Sequence, residues 1–328
     1  MEMLKSLFER NLLRRFISLF TVITLMFLIG CQDSVMETED TEPTTDQEAM
    51  QKIADEDSSV QSFDEAFNED EFMDFSFGKI QTPIYPFRIW HRVHLVNRNL
   101  NITIQGDTAY GTLTKTFEGT LFIKASYDSS ATEPDTTIQK VFTATVTRKL
   151  IFVKIANTPR PFLNWRLAAV SLPEGGVLSP NIDIKKLTVF LPNGDTLVVE
   201  SPNDYYLRRH HGWPGLFWWW RDIPVIPRLD SVLVRVELFS AYEEEDFVTL
   251  TFGRNKFVGI KHKRKFEFVS SVQVAGGYEK VYEQTFRTHA FPGFFHAVIN
   301  AFPRQVIFDD AAAVESSMWG IPYFVSRF

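Results

Sequence analysis

A single cysteine in 328 residues, Cys31, excludes a disulfide framework and any cysteine-rich metal site. Long apolar runs are also scarce. The one near the N-terminus, residues 16–29, falls short of the roughly 20 residues that a membrane-spanning helix needs. The chain has no phosphate-binding Walker loop, dinucleotide fingerprint, Gly-x-Ser-x-Gly elbow, His-Glu-x-x-His helix or aspartate-rich calcium loop, so no motif supports nucleotide chemistry, triad hydrolysis or metal catalysis. The seven histidines are mostly scattered, and the adjacent His210 and His211 cannot both point inward from a strand. No cofactor and no metal are expected. Bases are nearly missing from residues 32–77, which hold sixteen Asp and Glu against Lys52 alone. Residues 78–328 carry 29 bases and 23 acids, too mild an excess for a nucleic-acid footprint.

What is present is apolar and aromatic. At 45% hydrophobic and 14% aromatic residues, the chain has enough to bury for two ordinary domains. The N-terminus places Lys5, Arg10, Arg14 and Arg15 before the apolar run, which is a charged region followed by a hydrophobic one. It ends in Leu28-Ile29-Gly30-Cys31, which resembles the lipobox of bacterial lipoproteins. The resemblance implies removal of residues 1–30 as a signal peptide, acylation of Cys31, and anchorage to a lipid bilayer without spanning it, each buried methylene adding about 0.8 kcal/mol. By the same resemblance Gln32 directs the protein to the outer membrane. The acids Asp33, Glu37, Glu39, Asp40 and Glu42 look like the export tags of surface-exposed lipoproteins. Periplasmic and surface orientations both stay open, as does a plain secretory signal.

Residues 31–47 read as an acidic, solvated tether. Apolar residues return at Met50, Ile53, Val60, Phe63 and Phe67, with a capping-box spacing at Ser62 and Glu65, which predicts one or two short helices. Residues 84–171 read as long antiparallel strands: 90–96, 101–105, a hairpin turn at Gly106-Asp107, 109–116, 119–127, 140–154 and 165–171. Helices followed by such a meander, with the phrases Gly106-Asp107-Thr108-Ala109 and Trp165-Arg166-Leu167, resemble the cone-shaped fold of ketosteroid isomerase and nuclear transport factor two over residues 50–172. The turn residues 171–176 mark a domain boundary. Beyond it, short strands at 187–191, 196–200, 231–239, 247–252, 257–260 and 266–274 suggest an immunoglobulin-like β-sandwich. The expected organisation is therefore mainly β, with an α+β first domain over 48–172, a sandwich over 173–290, and a tail over 291–328. In the tail, the spacing of Phe294, Phe295, Val298, Ile299 and Phe302 predicts a short amphipathic helix, and the apolar end packs back on a domain. The basic cluster 261–265 reads as a solvated strand end, and the acids 243–246 as a solvated turn.

Two clusters are candidate sites. Four of the seven tryptophans fall within eight positions in the stretch Tyr205, Tyr206, Arg208, His210, His211, Trp213, Trp218, Trp219, Trp220 and Arg221. Such a loop serves either as a platform for a glycan or protein partner or as an aromatic plug between domains. In the first long strand, alternation puts Trp90, Arg92 and His94 on one face and His91 on the other, one of which would line a cavity in a cone-shaped fold. The expected function is a membrane-anchored, non-catalytic binding or assembly module of the bacterial envelope, for a ligand, polymer or partner protein and not for nucleic acid. The alternative is an enzyme acting in the first domain's cavity.

Overall fold

Alternating burial along three very long strands organises the chain. A computed structural model describes residues 42–67, 73–74, 82–209, 220–253 and 261–327, with residues Pro43–Phe328 forming one compact unit. The fold is mainly β, in mostly antiparallel sheets. β1 (Met73–Asp74), β2 (Tyr85–Gln105), β3 (Thr108–Ser126) and β4 (Thr136–Lys154) lie side by side in that order. Along β3, Ala109, Leu113, Phe117, Leu121, Ile123 and Ala125 are buried on one face, while Tyr110, Thr112, Thr114, Thr116 and Glu118 alternate with that face and point outward. The expected turn is present: Gly106 takes φ +63° between Gln105 and Thr108, a conformation that favours glycine. The pairs 90–96 and 101–105 belong to one strand rather than two. A bulge between Leu95 and Asn97 reverses the inward–outward parity, so the alternation breaks while the strand does not.

Helix α1 (Asp46–Glu56) starts at a capping box in which Thr45 and Glu48 satisfy each other's backbone N–H. Helix α2 (Ser58–Phe67) begins four residues before Ser62, so the box expected at Ser62 and Glu65 does not open a helix; the Asp57 carboxylate accepts from Ser59 N at 3.0 Å instead. Met50, Ala54 and Val60 share a buried cluster with Ala109, Leu113, Leu150 and Phe152. Phe63 and Phe67, on one helical face as their spacing required, pack with Phe117, Val146, Val298 and Met318. Each such fully buried side chain contributes about 1.5–3 kcal/mol. The same inner face holds buried cations, two of them beside helix α2. Lys115 Nζ donates to Asp64 Oδ2 at 2.6 Å, and Arg148 donates to the carbonyls of Ser171 and Ser59, both at 3.0 Å.

β5 (Trp165–Ser171) pairs with β4, and β6 (Glu174–Gly176) is inserted between β4 and the last strand, β18 (Ser317–Ser326). At 175 and 176 the glycines permit close approach of neighbouring backbone. A Cβ on Gly175 would lie 1.8 Å from Thr145 O. From β18 the large sheet continues through β17 (Gly293–Phe302) and β13 (Phe247–Gly253) to β14 (His262–Lys265), with β9 (Tyr206–Arg209), β10 (Trp220–Arg221) and β11 (Val225–Pro227) attached beside this path. A second, five-stranded sheet runs β15 (Glu267–Val274), β16 (Gly277–Arg287), β12 (Ser231–Ser240), β7 (Ile182–Phe190) and β8 (Thr196–Val199). It packs on β13, β17 and β18 through Ile184, Leu187, Val234, Val236, Tyr282 and Phe286 against Leu250, Phe252, Ile299, Ile321 and Tyr323, forming a β-sandwich.

Two expectations are corrected here. Residues 293–302 are a strand, not a helix: β17 is paired on both sides, by β13 and β18, and is apolar on both faces, so its pattern loses the period of two. The short helix comes after it, α3 (Arg304–Phe308), with Lys140 Nζ donating to the carbonyls of Val306, Asp309 and Ala312 at 2.5–2.8 Å. The acidic run is solvated only at Glu243, Glu244 and Glu245. Asp246 is buried, 2.9 Å from the equally buried Lys280 Nζ, and accepts from Ser240 Oγ. Burial raises the Asp246 carboxyl above its ordinary range, with Lys280 opposing. The interval 257–260 lies outside the described residues.

Two tests follow from this packing. Gly175→Ala should lower the unfolding free energy by about 2–3 kcal/mol in urea titration, because backbone must move to admit the methyl. Gly106→Asn, at an open turn, should cost under about 1 kcal/mol. The second test concerns acid. Burial, with Arg148 nearby, lowers the His296 pKa to about 3. The folded state thus keeps this ring neutral, so its stability is fully present above the ordinary histidine pKa and is lost as pH falls from 6.5 towards 3, at about 1.4 kcal/mol per pH unit. Between pH 7 and 5, wild type should lose about 2 kcal/mol more than His296→Gln.

Candidate functional site

The face of β2–β4 turned away from the helices is built by register. Directly opposed residues in an antiparallel sheet project side by side, so the pairing sets Asn97, Thr116 and Thr145 in one row, Asn99, Thr114 and Thr147 in the next, and Asn101, Thr112 and Lys149 in a third. The fourth row is Thr103, Tyr110 and Ile151. Strands lie about 4.8 Å apart and same-face residues recur about every 6.7 Å, which makes a regular grid of hydroxyls and amides. Asn97, Asn99, Asn101, Thr103, Thr112 and Tyr110 are exposed.

β5 and β9 extend this face. Arg208 pairs with Ala169, and Ala169 with Ile151, so Arg208 continues the Tyr110 row. Tyr206 pairs with Ser171, whose Oγ accepts from Lys149 N, which brings Tyr206 beside the Lys149 row. Lys149 Nζ donates to Asp204 Oδ1 at 2.6 Å; this bond and that from Ser201 hold the Asp204 carboxyl below its ordinary range. Partial burial, together with Asp204 and Tyr110 and against Lys149, pushes the Tyr206 phenol above its usual value. Tyr110, Tyr206, Lys149 and Arg208 therefore form an aromatic and cationic end to a neutral polar grid.

The structure places part of each candidate cluster on this one face: Trp90, Arg92 and His94 from the first, Tyr206 and Arg208 from the second. Trp90 lies stacked on Phe122 at 5.1 Å, Arg92 is exposed, and His94 is 3.6 Å from Glu118 Oε2, all at the opposite end from Tyr110. His91 is on the inner face, buried, with Nε2 2.9 Å from the Phe67 carbonyl and its ring packed against Phe67 and Phe142. Tyr205 is half-buried against the sandwich core and donates to the Asp222 carbonyl at 2.9 Å. His210, His211, Trp213, Trp218 and Trp219 lie outside the described residues, as do Cys31 and the rest of residues 1–41. The backbone of Trp220 and Arg221 pairs with that of Arg209 and Arg208.

The grid itself was missed in the sequence, although its signal is there. Asn97, Asn99 and Asn101, then Thr112, Thr114 and Thr116, then Thr143, Thr145 and Thr147 each repeat at every second residue. A half-buried strand needs only polar residues on its outer face; strand propensity favours threonine there but disfavours asparagine, so the Asn repeat is the part that folding alone does not select. Among the described residues, no group of three or more His, Cys, Asp or Glu side chains is placed to hold a metal. Comparison with protein-family models, with curated proteins and with solved structures gave no match.

If these hydroxyls serve a surface rather than the fold, replacing Thr114 and Thr147 together by Val, which keeps the β-branched shape, should change the urea midpoint by the equivalent of less than about 0.5 kcal/mol.

Proposed function

We propose that the chain is a bacterial envelope lipoprotein, anchored in the outer membrane by acylated Cys31, and that it acts as a non-catalytic module binding an extended, uncharged polar polymer, a glycan, on the open face of β2–β4. One observation carries the binding role: the register-aligned Asn and Thr grid ending in Tyr110 and Tyr206. Sugar rings present hydroxyls that match amide and hydroxyl partners on their edges and C–H faces that pack on aromatic rings. The strand length gives the face an extent of about 60 Å, enough for several sugar units in succession. His91 is held against a backbone carbonyl in packed surroundings, which does not favour the enzyme reading.

A finer architecture belongs to this proposal. Helices α1 and α2 over β2–β5 would be the cone-type layer, and the sandwich of the second half an immunoglobulin-like module.

The binding test is co-sedimentation of the full chain with insoluble polysaccharides, purified peptidoglycan sacculi included. Tyr110→Ala with Tyr206→Ala should weaken retention at least about tenfold, the loss of two stacking contacts of about 1 kcal/mol each. Thr114→Val with Thr147→Val should weaken it without loss of fold. Equal retention of all variants overturns the assignment of the face. The anchor is tested separately: Cys31→Ser should abolish incorporation of labelled palmitate and release the protein from the membrane fraction.

A further inference from the structure

The five-stranded sheet ends in a strand with little of the usual protection: a bulge between Phe268 and Ser270 interrupts its pairing with β16, but from Phe268 onward charge, proline and, among the described residues, a covering element are lacking. Among the described residues β15 pairs with β16 alone, so its other edge presents unpaired backbone donors and acceptors. Seven of its eight residues are exposed, including Phe268, Val269 and Val272 at 38%, 49% and 62%. From Phe268 to Val274 it has neither charge nor proline. Proteins ordinarily guard such an edge with lysine, proline, short length or a covering element, because it templates pairing with another chain.

The other edges of the sandwich are guarded in those ways. β8 is four residues long and bounded by Asp195 and Glu200. β14 is also four residues, His262-Lys263-Arg264-Lys265, and so brings three bases to its edge. It precedes β15 directly, through the buried Phe266. The contrast is therefore within one side of one sandwich.

We propose that β15 is a dimer interface, pairing antiparallel with β15 of a second copy of this chain about a two-fold axis between Ser270 and Ser271. Self-complementarity selects this occupant. In that register Val269 faces Val272 of the other copy, Ser270 faces Ser271, Phe268 faces Gln273, and the one charged residue, Glu267, faces Val274, so no like charges meet. A strongly charged partner strand would find no counter-charge here. Main-chain hydrogen bonds supply the attraction and the apolar pairs fix the register. One strand edge with three apolar side chains covers less than the roughly 1,200 Å² of a stable interface, so the dimer is weak and forms reversibly.

Sedimentation velocity of the detergent-solubilised full chain, from about 1 to about 100 μM, reads this directly, since that range brackets the affinity of such a small interface. Wild type should show a monomer–dimer equilibrium. Val272→Lys and Val269→Glu, both at exposed positions, should each weaken it at least about tenfold, and an equimolar mixture of the two should regain association through a Lys–Glu contact across the axis. Their urea midpoints should match wild type. A wild type that stays monomeric over the whole range overturns the proposal, as do variants that dimerise as well as wild type. Slow exchange, in a monomer, of those β15 amides that point away from β16 would show that the chain covers its own edge, and overturns it too.

Discussion

The three-residue strand β6 is the splice on which the molecule depends. It pairs with Thr145, Val146 and Thr147 of β4 on one side and with Met318 and Trp319 of β18 on the other, so a ribbon formed early in the chain and a sheet closed by its last strand become one hydrogen-bonded surface. The backbones approach too closely for side chains: a Cβ at Gly175 meets Thr145 O, and one at Gly176, where φ is +123°, meets Ser316 O at 2.3 Å. Flanking bonds hold the splice, with Gly320 N donating to Pro173 O at 3.0 Å and Ser316 N to Val177 O at 3.1 Å. Sheet pairing between residues so distant in sequence carries a large loop-closure cost. Burial of Met318 with Phe63 and of Trp319 in the sandwich core is what offsets it.

The parts of the fold legible in the sequence are those with one wet face. β4 and β12 alternate along most of their length, and the limits of β4, β5 and β12 fall within a few residues of the sequence pattern; β3, read as two strands at 109–116 and 119–127, is one. Legibility failed for definite reasons. In β2 the bulge after Leu95 shifts the parity, so one strand looks like two. In β17 both faces are buried and both edges paired, so Phe295, Val298, Ile299 and Phe302 lie in an apolar run whose spacing also suits a helix. Asp246 is unreadable as a buried residue because its partner Lys280 comes from a strand 34 residues on, and only the folded register brings the two together.

The candidate site divides in the same way. Local alternation was enough to put Trp90, Arg92 and His94 on one side and His91 on the other. That Tyr206 and Arg208 belong to the same sheet face as Tyr110 depends on β9 joining β5, a pairing between segments more than 30 residues apart that no local pattern encodes. The Asn and Thr repeats were visible residue by residue, but their meaning lies in the cross-strand rows, which need the hairpin register fixed at Gly106 and Asp107.

A neutral grid of this kind favours many weak contacts over one strong one. A hydrogen bond between an exposed hydroxyl and a ligand exchanges one water partner for another and nets about 0.5–1.5 kcal/mol at best. A single sugar unit touching one row would hardly stay bound, whereas a chain of units engaging successive rows adds increments without a new association cost for each. The same reasoning disfavours a compact charged ligand. Within the four rows the one charged group, Lys149, is already committed to Asp204. The repetition of these rows and their near neutrality thus point the same way, towards an extended and uncharged partner. Tethering would reinforce this, because a module held at a membrane samples a surface-bound polymer at high effective concentration, where affinity per unit matters less than the number of units in reach.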